Sequence, residues 1–162
     1  MQNIYQYLSD HNISYQRFDH PAVFTCEEAE QFCPDMPGAS IKNLLLRDKD
    51  KTHYFLVVAG HDKRVDIKGL QTILGTSKLS FASPEDLNKY LGVEPGSVTL
   101  LGLINDAENK VEVIIDKDLE GKSLQCHPLV NTATLVIPSA DIITFLNVAK
   151  HQSKYLTIPV RA

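Results

Sequence analysis

Two short apolar blocks set the terms on which this chain can fold. Ser40-Ile41-Lys42-Asn43-Leu44-Leu45-Leu46-Arg47 runs from polar residues into an apolar stretch, and His53-Tyr54-Phe55-Leu56-Val57-Val58-Ala59 is a second one. Each is bounded by turn signals and has the length of a buried strand. Asp48-Lys49-Asp50-Lys51 lies between them as a polar turn. The pair predicts a β-hairpin that the rest of the chain must pack around. Lys42 and Asn43 stand at the entrance of the first strand, where a rigid element can hold a cation beside a cleft. The plainer reading is a lysine whose stem lies on apolar surface while its ammonium stays in water.

The other elements follow in order. Ile4, Tyr7 and Leu8 have helical spacing, and Ile13, Tyr15 and Arg17 alternate as a strand does. Thr25 and Glu28 have the spacing of a capping box for a helix to about Phe32, after which Pro34 and Pro37-Gly38 break the chain. Val65, Ile67, Leu70, Ile73 and Leu74 predict a helix opened by Asp66 and stopped by Gly75. Lys78 to Phe81 is a short strand, and Ser83-Pro84 opens a helix that Gly92 ends. Gly96 to Ile104 is expected as a strand or extended loop. Val111–Asp116 and Ser123–Cys126 are further extended segments, and Thr134–Ile137 is read as the last central strand. Pro138-Ser139 caps a final helix, and Tyr155–Val160 adds an edge strand. The expectation is an α+β (mixed α/β) single domain over residues 1–162. It would have one mixed, mostly antiparallel sheet of six or seven strands with flanking helices.

Composition narrows the function. A chain of 162 residues with 22% charged residues has the make-up of an ordinary globular protein with one core. A net charge of −4 gives no broad footprint for nucleic acid, so DNA is not an expected partner and any RNA contact is local. Three cysteines without metal-type spacing fit reduced thiols in a cytoplasm, and neither a metal nor a cofactor is expected. The N-terminal residues do not read as a signal peptide, and no apolar run is long enough to span a membrane. Cys126-His127 offers a thiol beside an imidazole, but neighbours on a strand face opposite ways. Asp116, Asp118 and Glu120 read as a solvated turn. No glycine-rich phosphate loop is present.

An ordered set of short segments carries a resemblance. It comprises His20-Pro21-Ala22 with Thr25-Cys26-Glu27-Glu28-Ala29, then Lys42-Asn43-Leu44-Leu45-Leu46 and Arg64-Val65-Asp66-Ile67-Lys68. Leu91 to Thr99, Gly102-Leu103-Ile104-Asn105-Asp106 and His127-Pro128-Leu129-Val130-Asn131-Thr132 complete it. The set resembles the YbaK/ProX family of aminoacyl-tRNA deacylases, and within it the branch that edits alanyl-tRNA(Pro) in trans. The resemblance implies a free-standing hydrolase that cleaves the aminoacyl ester at the 3′ end of mischarged tRNA(Pro), with prolyl-tRNA synthetase as a further partner.

It also implies roles. Lys42 is a point charge for phosphate or carbonyl oxygen, Asn43 a hydrogen-bonding amide, and His127 a pocket imidazole for ribose or water. Gly102 lets backbone approach the substrate, and Thr25 and Asn131 are further pocket residues. Leu44, Leu46, Val58 and Leu103 are expected to line a small apolar sieve. Because the chain is net negative, Lys42, Lys63, Arg64, Lys68 and Lys150 are separately expected to form a basic patch for tRNA. The competing readings are plain: Thr25 as a helix cap, Gly102 as a turn glycine, His127 as a satisfied histidine before Pro128. One departure stands out. The family has Gly-x-x-x-Pro beside the pocket, whereas Gly96-Ser97-Val98-Thr99 is followed here by Leu100. Leucine adds an N–H and backbone freedom, which bears on amino-acid preference. A deacylase for cysteinyl- or seryl-tRNA, or a non-catalytic module binding charged tRNA ends or a synthetase, are the alternatives.

Overall fold

The computed structural model describes residues 3–23 and 26–161, with all their side chains except those of residues 26, 29 and 30. The helices are α1 (Ile4–Asp10), α2 (Cys26–Phe32), α3 (Ile67–Leu74), α4 (Pro84–Asp86) and α5 (Ser139–Val148). The strands are β1 (Gln16–Asp19), β2 (Ile41–Arg47), β3 (Tyr54–Gly60), β4 (Ser80–Phe81), β5 (Val111–Asp116), β6 (Leu124–Cys126), β7 (Ala133–Ile137) and β8 (Ser153–Leu156).

The two apolar blocks form the expected hairpin. β2 pairs antiparallel with β3, with Asn43 opposite Val58 and Leu45 opposite Leu56. The fold is mixed α+β, as expected, but its eight described strands lie in two sheets. One is five-stranded, β4-β2-β3-β5-β8, and the other three-stranded, β1-β7-β6. β5 and β8 run parallel to their neighbours, which makes the larger sheet mixed. Thr134–Ile137 is therefore the middle of the smaller sheet. The two sheets meet just before β2, where Ala39 N–H donates to Ser123 O (2.8 Å) and Gln125 N–H to Ala39 O (3.1 Å).

Strand alternation splits the apolar residues between two cores. Ile41, Leu45, Leu56 and Val58 face the main core with Leu124, Cys126, Leu135 and Phe145. Leu46, Phe55, Val57 and Ala59 face a second cluster with Val65 and Leu70, which packs α3 onto the sheet. Helix ends follow their local chemistry. The Asp66 carboxylate accepts from Gly69 N–H at the start of α3, and Gly75 ends it at φ 64°. Ser83 and Asp86 form a capping box at α4. That helix continues as a π-helical turn, Leu87–Leu91, ended by Gly92 at φ 65°.

Two expectations need correction. Residues Leu100–Asn105 form a buried 3-10 helix capped by Thr99, not a strand or extended loop. A short all-apolar run has no periodicity that separates these outcomes. Asp116 is fully buried and is no part of a solvated turn. No helix among the described residues is long and apolar enough to cross a membrane.

Candidate active site

The pleat of two strands sorts the expected site residues. Lys42 lies on the α3 face of β2 with Leu44 and Leu46, while Asn43 lies on the main-core face with Ile41 and Leu45. Lys42 and Asn43 are thus adjacent in sequence and opposed in space. On β6, Leu124 and Cys126 belong to the main core. Gln125 therefore takes the other face, and His127 follows just past the end of β6. Ser40, two residues before Lys42, joins this face, and its hydroxyl donates to Gln125 Oε1 (3.1 Å). Ser40, Lys42 and Gln125 share one side of the junction between the sheets, and His127 lies two residues past Gln125. A cavity of about 580 Å³ opens there, lined by Glu27 and Gln31 of α2, Cys33, Met36, Ser40 and Gln125 among others.

His127 is set up in one protonation state. Its Nδ1 lies 3.2 Å from Ala133 O. A carbonyl only accepts, so Nδ1 carries the proton and Nε2 keeps a lone pair. Nε2 has no hydrogen-bond partner among the described residues. Burial pushes the imidazole pKa below its ordinary 6.5; the Ala133 carbonyl opposes this and nearby His20 adds to it. The turn is braced from behind, since Thr99 Oγ1 donates to His127 O (2.7 Å). His20 is itself fixed, with Nδ1 donating to Pro21 O (2.9 Å) and Nε2 bonded to Thr134 Oγ1 (2.8 Å).

The Lys42 ammonium is half-buried and donates to the carbonyl oxygen of Lys63. A lysine has three donors, so two remain for a ligand. Asn43 Oδ1 is buried with no partner among the described residues. A buried carbonyl of this kind ordinarily has a hydrogen bond.

Several other candidates have different neighbours from those expected. Gly102 does allow a close approach, but to protein: a Cβ there would meet Leu91 O at 2.7 Å. Asn131 braces the loop before α2, with Nδ2 donating to Val23 O (2.9 Å) and its main-chain carbonyl accepting from Val23 N–H (3.1 Å). Thr25 lies outside the described residues. Leu44, Leu46, Val58 and Leu103 do not surround one hollow. Leu44 and Leu46 belong with the α3 cluster and Val58 and Leu103 with the main core, on opposite faces of the sheet. Leu100 is fully buried in that main core.

The basic patch is also divided. Lys63 is engaged by Asp116 and Asp118, each at 2.7 Å. Arg64 and Lys68 are exposed near the start of α3. Lys150 is set apart: it precedes His151, which bonds Asp106 before β5 begins, whereas Lys63 holds Asp116 at the end of that strand. Cys126 is wholly buried, and burial raises its thiol pKa to about 12, which leaves it protonated and unreactive. The face of Gln125 was readable from β6 alternation, whereas the Ser40–Gln125 bond needed the junction of two sheets.

Comparison with known proteins agrees with this architecture. Residues 20–145 match the aminoacyl-tRNA editing domain. The chain is 40% identical over 136 residues to the prolyl-tRNA editing protein ProX of Acetoanaerobium sticklandii, covering 83% of each chain. It is 36% identical over 149 residues to prolyl-tRNA synthetase associated domain-containing protein 1 of Danio rerio, covering 90% of this chain and 80% of that one. A solved structure described as a candidate trans-editing enzyme for prolyl tRNA synthetase superposes with a TM-score of 0.72 at 18% identity, covering 95% of this chain and 94% of that one. That last likeness is one of fold. With most of its length matched and its relatives aligned over four-fifths or more of both chains, this protein belongs to the aminoacyl-tRNA editing domain family.

Proposed function

We propose that this chain is a trans-editing deacylase that removes alanine from mischarged tRNA(Pro). Its family membership and its 40% identity to a prolyl-tRNA editing protein support editing on proline tRNA. One arrangement supports the mechanism: Lys42 lies two residues beyond Ser40 and His127 two residues beyond Gln125, and Ser40 and Gln125, bonded to each other, line a cavity walled by α2 and the loop after it. Water attacks the ester carbonyl, negative charge grows on that oxygen, and the bond to the ribose oxygen breaks as the proton lost by the water passes to the leaving ribose oxygen, giving free alanine and a free hydroxyl on the tRNA. The two free donors of Lys42 stabilise charge on the carbonyl or hold the terminal phosphate. The lone pair of His127 Nε2 accepts a hydrogen bond from the ribose hydroxyl or the attacking water, which holds the reacting atoms in register. Cys33, Pro34 and Met36 give the cavity an apolar wall.

The energetics explain why a second site is needed. A synthetase pocket made for proline rejects the smaller alanine by only about 1–3 kcal/mol. A separate hydrolytic pocket that admits only the smaller residue corrects the error. Purified protein assayed against Ala-, Cys- and Ser-charged tRNA(Pro) tests class and substrate together. Fastest release from the alanyl ester is the expected result. Preference for the cysteinyl or seryl ester reassigns the substrate, and no release from any of them leaves a binding module.

A further inference from the structure

Lys63 was expected to meet phosphate, but its surroundings assign it other work. Its ammonium lies 2.7 Å from Asp116 Oδ2 and 2.7 Å from Asp118 Oδ2. The two carboxylates are unequal: the Asp116 side chain is 1% exposed and that of Asp118 is 70% exposed. An exposed pair is screened by water and contributes little, so Asp116 is the effective partner. Asp116 is itself fixed from several sides. Its Oδ1 accepts from Asp118 N–H (3.1 Å), and its Oδ2 lies 3.5 Å from Gly60 N. Lys63 N–H donates to Gly60 O (3.1 Å), which closes the turn after β3. The carbonyl of this clamped Lys63 is the acceptor for the Lys42 ammonium.

We propose that Asp116 and Lys63 are positioning residues, a buried carboxylate and its cation that lock one turn so that a backbone carbonyl holds the Lys42 ammonium in place. A lysine ends a flexible four-carbon stem, and without an anchor its ammonium samples many positions. The clamp fixes the acceptor, and the acceptor fixes the amine. Lys63 thus acts through its main chain, with its side chain serving only to hold that main chain. The inference rests on the reading of Lys42 as the cation that meets substrate. It goes further in naming what places that cation.

Brief acetic anhydride labelling of the folded full chain, read by mass spectrometry at each lysine, tests the placement without any substrate. Lys42 should label more slowly than exposed Lys49 in the wild type. In Lys63→Met and Asp116→Asn its labelling should accelerate about tenfold, as an amine released from a fixed acceptor does. Lys63→Arg, which keeps the ion pair, should restore slow labelling, and Asp118→Asn should change it little. Circular dichroism checks that each variant is folded; should Asp116→Asn fail to fold, the two Lys63 variants decide. Equal Lys42 labelling in the wild type, Lys63→Met and Lys63→Arg overturns the proposal. A kinetic assay on alanyl-tRNA(Pro) adds a second reading. Lys63→Met should lower kcat about tenfold with KM within about twofold, the mark of misplacement and not of lost binding. A raised KM with unchanged kcat makes Lys63 a tRNA contact and overturns the proposal. If the wild type releases no amino acid from any charged tRNA, the proposed function falls, and the labelling still decides the clamp by itself.

Discussion

His127 comes to its task already neutral. Burial holds its pKa below 6.5, and the bond from Nδ1 to Ala133 O leaves the lone pair on Nε2. In the proposed mechanism the active form is the deprotonated one, so deacylation should rise with pH through that depressed pKa and level off above about pH 6.5. A kcat/KM profile, corrected for spontaneous ester hydrolysis, checks this; a midpoint above pH 7 contradicts it. His127→Ala should cost about 100-fold in kcat/KM. Cys126 provides a contrast one position away. Its thiol, raised to about 12, should resist iodoacetamide in the folded protein, and Cys126→Ala should keep deacylase activity. Residue type and motif order single out Lys42 and His127 as the proposed site. Asp116 was misread, because nothing local marks a carboxylate as buried when its cation comes from a distant turn. Asp118, two residues on, is as solvated as expected.

The elements that were readable are those whose own residues state both ends. β2 and β3 are apolar runs between polar turns, and α3 carries its Asp66 cap and Gly75 stop. What stayed hidden depends on partners. The parallel pairing of β5 and β8 and the division into two sheets are set by non-local contacts, which no stretch of sequence displays. The 3-10 helix Leu100–Asn105 is shaped by its packing on the π-helical turn, through Gly102 against Leu91. Gly102→Ala should therefore destabilise the protein by about 1–3 kcal/mol, since the facing atom is backbone and cannot move aside. Thermal denaturation measures it, and an unchanged midpoint would argue against this packing. The same helix runs into Asp106, whose carboxylate accepts from His151 Nε2 (2.9 Å) and from the N–H groups of Val111 (2.8 Å) and Lys110 (3.1 Å). Burial alone would raise its pKa, but these bonds outweigh it and hold the pKa below 3.8. A depressed carboxylate stabilises the fold above its unfolded value and loses that contribution as pH falls through the folded one. The melting-temperature gap between wild type and Asp106→Asn should therefore narrow as pH drops below about 4.

As a whole, the molecule carries a net charge of −4, yet its proposed substrate is a polyanion. Binding must therefore draw on local cations, and the exposed Arg64 and Lys68, which follow the Lys63 turn, are proposed among them. Replacing both with alanine should flatten the dependence of log K on log salt by roughly 1 to 2 units, measured on tRNA. An unchanged slope would move the contact elsewhere. The arrangement of the sheets explains why the site lies where it does. Ala39 ties β6 to the start of β2 in parallel, so the segment that leads to His127 starts beside the segment that leads to Lys42. The central claim is that the Lys42 ammonium is required to cut the ester. The most direct test is single-turnover release of alanine from alanyl-tRNA(Pro) by wild type and Lys42→Ala at equal concentration. The account predicts release by the wild type and none above background by the variant; release at the same rate by both would contradict it.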